Sequence, residues 1–142
     1  MRRIERAGAY AAAGLLAEVA QTAVKSVHRD GNWRLTGTTY LWMVPIYGSA
    51  AWLFEPAHDA LRGRPTWQRA AVWTAGIYAV EAASGELIRR AVGEVPWDYA
   101  RPRGRAIRPP VNWHGLIRPA YAPLWALTGL GLETLHDRLT HR

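Results

Sequence analysis

Residues 35–54 form an unbroken run without a charged side chain. Arg29, Asp30 and Arg34 bound it on one side, and Glu55, Asp59, Arg62 and Arg64 on the other. A helix needs roughly 20 predominantly apolar residues to cross a bilayer core. Tyr40, Trp42, Trp52 and Phe54 lie toward the ends of the run, as aromatics do at membrane interfaces. The run therefore predicts a membrane span, and the remaining uncharged stretches can be tested against it.

Three such stretches exist. Residues 7–24 carry one charge, Glu18; residues 70–80 carry none, and neither do residues 119–132. The expected architecture is all-α: an integral membrane bundle of four transmembrane helices forming one domain over 1–142. The spans fall at about 7–25, 36–55, 67–91 and 119–137, with both termini on one side. A long Arg/Pro-rich polar loop, 93–118, joins helices three and four. The mean hydropathy of -0.17 speaks against this reading. That average is depressed by arginines clustered between the apolar stretches, so segregation is given more weight than the mean. Pro45 inside the second span leaves a local alternative, in which the helix begins near the proline and the preceding residues pack as irregular backbone.

The start of the chain, with Arg2, Arg3 and Arg6 before an Ala/Leu run, is similar to a signal peptide. Glu18 and Gln21 interrupt the positions where cleavage would occur, so the segment is expected to stay as the first helix. Asp30-Gly31-Asn32 predicts a turn, Thr66 a helix start and Gly93 a helix end. No internal repeat is evident. The chain has no cysteine, which excludes disulfides and thiolate metal sites. The net charge is +7, and all but one of the 18 basic residues are arginine. Such a charge suits an anionic surface or ligand. No phosphate-binding glycine loop or recognition-helix motif accompanies it, so nucleic acid is not expected as a partner.

Several motifs are similar to those of one family. They are Val44-Pro45-Ile46-Tyr47-Gly48, Pro96-Trp97-Asp98-Tyr99, and Gly115-Leu116-Ile117-Arg118 leading to Tyr121-Ala122-Pro123-Leu124-Trp125. Together with Gly14, Glu18 and Glu81 they resemble the ABC-transporter type IV family of small multi-span membrane proteins, which includes the transmembrane protein 229 group. The resemblance runs from about Gly14 to Glu133. The arginine-rich insert at 101–110 departs from it, where a shorter connection is expected. The resemblance implies a polytopic membrane protein and brings no catalytic assignment and no nucleotide-binding domain.

Acidic residues within apolar helices carry the chemical expectations. Glu86 has Arg89 and Arg90 one turn on, which predicts an ion pair. Glu18 and Glu81 have no basic residue within the preceding turn, and are expected to face each other inside the bundle. Glu18, Glu81 and Asp98 are the catalytic candidates. The ligand-binding set is Glu18, Tyr47, Glu81, Trp97, Asp98, Tyr99, Arg118, Tyr121 and Trp125. Asp98 is expected to pair with Arg118, or with Arg101 or Arg103, unless it caps a turn through a backbone N–H. Glu55, His58, Glu133 and His136 form two E-x-x-H pairs. With Glu18 and Glu81 they make the ligand inventory of a dimetal bundle, but the two sets differ in depth by roughly 10 Å, so no metal or other cofactor is expected.

The function expected from these features is binding or movement of a lipid or other amphiphile through a polar, aromatic-lined intramembrane pocket. The partners are membrane lipids, an anionic headgroup at the 101–108 loop or an amphiphilic substrate, and a homo-oligomer is compatible. The alternative is a membrane-embedded enzyme using the buried carboxylates as acid and base on a lipid or isoprenoid-like substrate. Either would sit in a bacterial cell membrane.

Overall fold

The structure is a computed structural model that describes residues 1–100 and 114–141. Every regular element among them is helical: α1 Arg3–Asp30, α2 Met43–Gly48, α3 Ala50–Leu61, α4 Thr66–Val92, a 3-10 turn Pro119–Tyr121, and α5 Ala122–Thr140. The all-α expectation holds. The membrane bundle does not: no described helix is long and apolar enough to cross a membrane. The expectations of a multi-pass protein and of residence in a bacterial cell membrane are corrected accordingly.

The physical reason lies in the stretch that suggested the span. Residues 31–42 are not helical, and Ser49 separates α2 from α3. Only about half of the uncharged run is therefore helix, and α3 has 12 residues. The long helices fail on composition. The 28 residues of α1 include Glu5, Arg6, Glu18, Lys25 and Arg29, and much of the rest is alanine. The 27 residues of α4 include Arg69, Glu81, Glu86, Arg89 and Arg90. Absence of charge is not the same as apolarity, and Ala, Gly, Ser and Thr supply little of it.

The chain divides into two compact units, Met1–Ala60 and Leu61–Arg142. In the first, α1 ends where Gly31 takes a left-handed conformation (φ 63°), its N–H donating to Val27 O at 2.9 Å. This is the turn that Asp30-Gly31-Asn32 predicts. The chain then runs back along α1. Thr22 Oγ donates to Thr38 O at 2.9 Å and accepts from Thr38 N–H at 2.8 Å. Gly37 lies against Val19 O, so close that no side chain would fit. Pro45 stands in the first turn of α2, where its missing N–H has no intrahelical acceptor to lose. The α1 face that packs here is Ala7, Tyr10, Ala11 and Gly14, with Tyr47 lying directly on Gly14. These positions follow the i, i+3, i+4, i+7 spacing of one helix face.

In the second unit α4 packs against α5. Gly93 ends α4 with φ 81°. Leu116 is fully buried and, with Trp97, lies on Gly85. Tyr99 N–H donates to Gly115 O at 2.9 Å, which joins the two described ends of the connection. Trp73 lies directly on Gly129. A methyl at Gly129 would overlap Trp73 Cβ and Cγ, so Gly129→Ala is expected to cost about 1–3 kcal/mol. Urea denaturation measures it, and an unchanged midpoint would contradict this packing.

Candidate functional site

Besides Glu86, four buried or half-buried glutamates lie on these helices, and their surroundings divide them into two kinds. Glu55 and Glu133 are neutralised by arginine. Glu55, on α3, accepts from Arg6 Nε at 2.6 Å and from Arg6 Nη2 at 2.7 Å, a two-pronged pair. Tyr10 OH adds a bond at 3.0 Å. Burial, first, and the Glu55 carboxylate, second, push the Tyr10 phenol well above its usual range. Glu133, on α5, is held by Arg69 and by Trp73 Nε1 at 2.7 Å. Both carboxylates are almost wholly buried. Two of the carboxylates that the metal alternative draws on, Glu55 and Glu133, are thus held by arginine and aromatic donors within each unit. His58 stacks on Phe54 at 5.5 Å, and α3 continues through Pro56.

Glu18 and Glu81 are the other kind, because their bonding partners are neutral. Glu18 Oε2 accepts from Thr39 OH at 2.7 Å and from Tyr47 OH at 3.2 Å. Glu81 Oε1 accepts from Tyr99 OH at 3.2 Å, and Oε2 from Trp125 Nε1 at 3.1 Å. Among the described residues neither carboxylate has an ion pair. Burial raises the Glu81 pKa to about 7, against the pull of its two donors. Tyr99 is pushed up in turn by burial and by the adjacent carboxylate.

Aromatic rings close around Glu81. Tyr121 meets Tyr99 edge-on at 5.6 Å and Trp125 edge-on at 5.7 Å. The Arg118 guanidinium lies 4.8 Å over the Tyr121 ring and donates to Tyr121 OH at 3.2 Å. Tyr78 OH donates to Arg118 O at 3.0 Å, which fixes the backbone entering α5. Trp97 Nε1 and Arg118 Nε are buried donors without a hydrogen-bond partner among the described residues.

The sequence-selected residues therefore fall into two groups. Glu81, Tyr99, Arg118, Tyr121 and Trp125 form one constellation, with Trp97 packed on Gly85 of α4. Glu18 and Tyr47 meet in the first unit. Asp98 Oδ1 accepts from Ala100 N–H at 2.9 Å, the turn-capping geometry, while the Arg118 guanidinium is on Tyr121. Arg101 and Arg103 as partners of Asp98, and the headgroup role expected of 101–108, lie outside the described residues. Glu86 pairs with Arg90 at 2.8 Å and Arg89 at 3.9 Å, as the spacing predicts. Sequence reasoning missed Arg6, Tyr10, Arg69 and Trp73. Their only signal is an arginine followed four residues later by an aromatic, near the start of each long helix. No family model matches this chain, and no solved structure matches it.

Proposed function

We propose that the chain is a binding protein for an amphiphile with a cationic, ammonium-type head, and that the head is received at Glu81. One observation carries the reading: Glu55 and Glu133 are neutralised by arginine, whereas Glu81 has only a phenol and an indole. A buried carboxylate without a counter-cation is costly, and a cationic ligand would supply the missing charge. The surrounding rings of Tyr99, Tyr121 and Trp125 are the side chains that recognise ammonium groups. Large apolar side chains on this unit, including Trp67, Val72, Leu87 and Leu127, are exposed and offer surface for an alkyl chain. The resemblance to the ABC-transporter type IV family supplies no ligand, and the reading does not rest on it.

The acid–base alternative has the same carboxyl in its favour, since a pKa of about 7 suits proton transfer near neutrality. No nucleophile-and-base pair accompanies it among the described residues, so binding is the better-supported reading.

Dodecyltrimethylammonium, used below its micelle concentration, tests the proposal through tryptophan fluorescence. Its charge does not change with pH, so the titration belongs to the protein. Affinity is expected to rise with pH and level off above about 7, because the ionised carboxylate is the binding form. Below that point the Kd should grow about tenfold per pH unit. Binding that is independent of pH, or that survives in Glu81→Gln, would contradict the assignment.

A further inference from the structure

The two units share a plan. Arg6 and Arg69, Tyr10 and Trp73, and Glu18 and Glu81 are each separated by 63 positions, as are the first residues of α1 and α4, Arg3 and Thr66. A second shift, of 78, relates the rest: Gly37 and Gly115, Pro45 and Pro123, Tyr47 and Trp125, Glu55 and Glu133, His58 and His136. The 15-residue difference falls in the connection between the first and second helices of each unit, which is longer in the second.

The contacts repeat with the residues. Arg6 and Tyr10 hold Glu55 as Arg69 and Trp73 hold Glu133. Tyr47 OH reaches Glu18 as Trp125 Nε1 reaches Glu81. Thr22 meets Thr38 where Gly85 meets Leu116. In both units the second donor to the uncompensated carboxylate comes from the connection, Thr39 in one and Tyr99 in the other. Helical packing alone would not place the same arginine, aromatic and two glutamates at matched positions twice.

We infer that the chain is an internal duplication of a helical hairpin, and that Glu18 marks a second cation-binding site, separate from that at Glu81 and of the same ligand class. The inference rests on the reading of Glu81 given above. Glu18 has what that reading requires: a half-buried carboxylate, two neutral donors and no ion pair among the described residues. It differs in its walls. Where the second unit offers Tyr99, Tyr121 and Trp125, the first offers Thr39 and Tyr47, with Met43 at the sequence position that matches Tyr121, so there is less aromatic surface for an ammonium head. The first site is therefore the weaker of two unequal sites.

Calorimetric titration with dodecyltrimethylammonium at pH 8.5, below its micelle concentration, reads the number of sites. The full-length chain is expected to bind two equivalents, one weaker than the other. Glu18→Gln should remove only the weaker and Glu81→Gln only the tighter, and the double variant should bind none. Tyr47→Trp installs the indole of the second site in the first and should narrow the difference in affinity. Circular dichroism and thermal melting establish that each variant is folded. A single equivalent, lost in Glu81→Gln and untouched by Glu18→Gln, would overturn the site at Glu18 and leave that at Glu81. No binding by the folded chain, or two equivalents indifferent to both substitutions, would overturn both.

Discussion

Arg6→Ala is expected to destabilise the protein by about 3–5 kcal/mol, the cost of removing the hydrogen-bonded ionic partner of a buried carboxylate. Glu55 is only 4% exposed, and both its oxygens accept from the Arg6 guanidinium. Removing the arginine takes away two short charged donors, and Tyr10 OH at 3.0 Å and the half-exposed Arg3 at 3.8 Å do not replace them. The double substitution Arg6→Met, Glu55→Leu removes both charges together and should recover most of the loss, because apolar groups of similar size can replace a buried pair at little cost. Equilibrium denaturation of the two single variants and the double gives the coupling directly. Additive effects would mean that the pair does not act as a unit. The same cycle at Arg69 and Glu133 should return a coupling of similar size.

The second large effect is a pH dependence. With its pKa raised to about 7 in the folded chain, Glu81 holds a proton more tightly than it does unfolded. Its contribution to stability is complete below the unfolded value near 4.5, falls as the pH rises through about 7, and is lost above that. The loss is on the order of 2–3 kcal/mol, somewhat less than the full shift implies because the residue is only half-buried. Asp30, Glu5 and Glu86 have pKa values lowered by arginine hydrogen bonds and titrate below this window. Denaturation midpoints between pH 5 and 8 should therefore fall more steeply for the natural sequence than for Glu81→Gln, in which the five histidines and every other ionisable group are unchanged. Equal slopes in the two would show that Glu81 is not the titrating group.

Much of the helical plan can be read along the chain, because its signals are local. The Asp30-Gly31-Asn32 turn, the helix start at Thr66 and the end at Gly93 each depend on neighbouring residues. So does the Glu86 ion pair. The anomaly of Glu18 and Glu81 is also visible, since a carboxylate in an otherwise apolar helix needs a partner. The partners themselves are distant: Glu55 and Arg6 are 49 positions apart, and Glu133 and Arg69 are 64. A search within one helical turn finds neither. The repeat was hidden for a related reason. Its two helices are displaced by different amounts, 63 and 78, so no single period reveals it.

The membrane expectation failed at a definable point. Its main form took residues 35–54 as one span because none is charged, whereas the structure follows the alternative at Pro45: irregular backbone comes first, a helix begins at Met43, and Gly48 and Ser49 separate it from α3. The irregular strip is held by Thr22 and by its close approach to Val19, contacts from a different part of the chain. The mean hydropathy of -0.17 was the sounder guide.

The central claim, that Glu81 is an uncompensated carboxylate awaiting a cation, is tested most directly by a carbon-detected NMR titration of its side-chain carboxyl. The free protein should show a midpoint near pH 7. Saturating dodecyltrimethylammonium should move that midpoint down, because a bound cation favours the ionised form. A midpoint in the ordinary carboxylate range, or one that ignores the ammonium probe, would contradict the account.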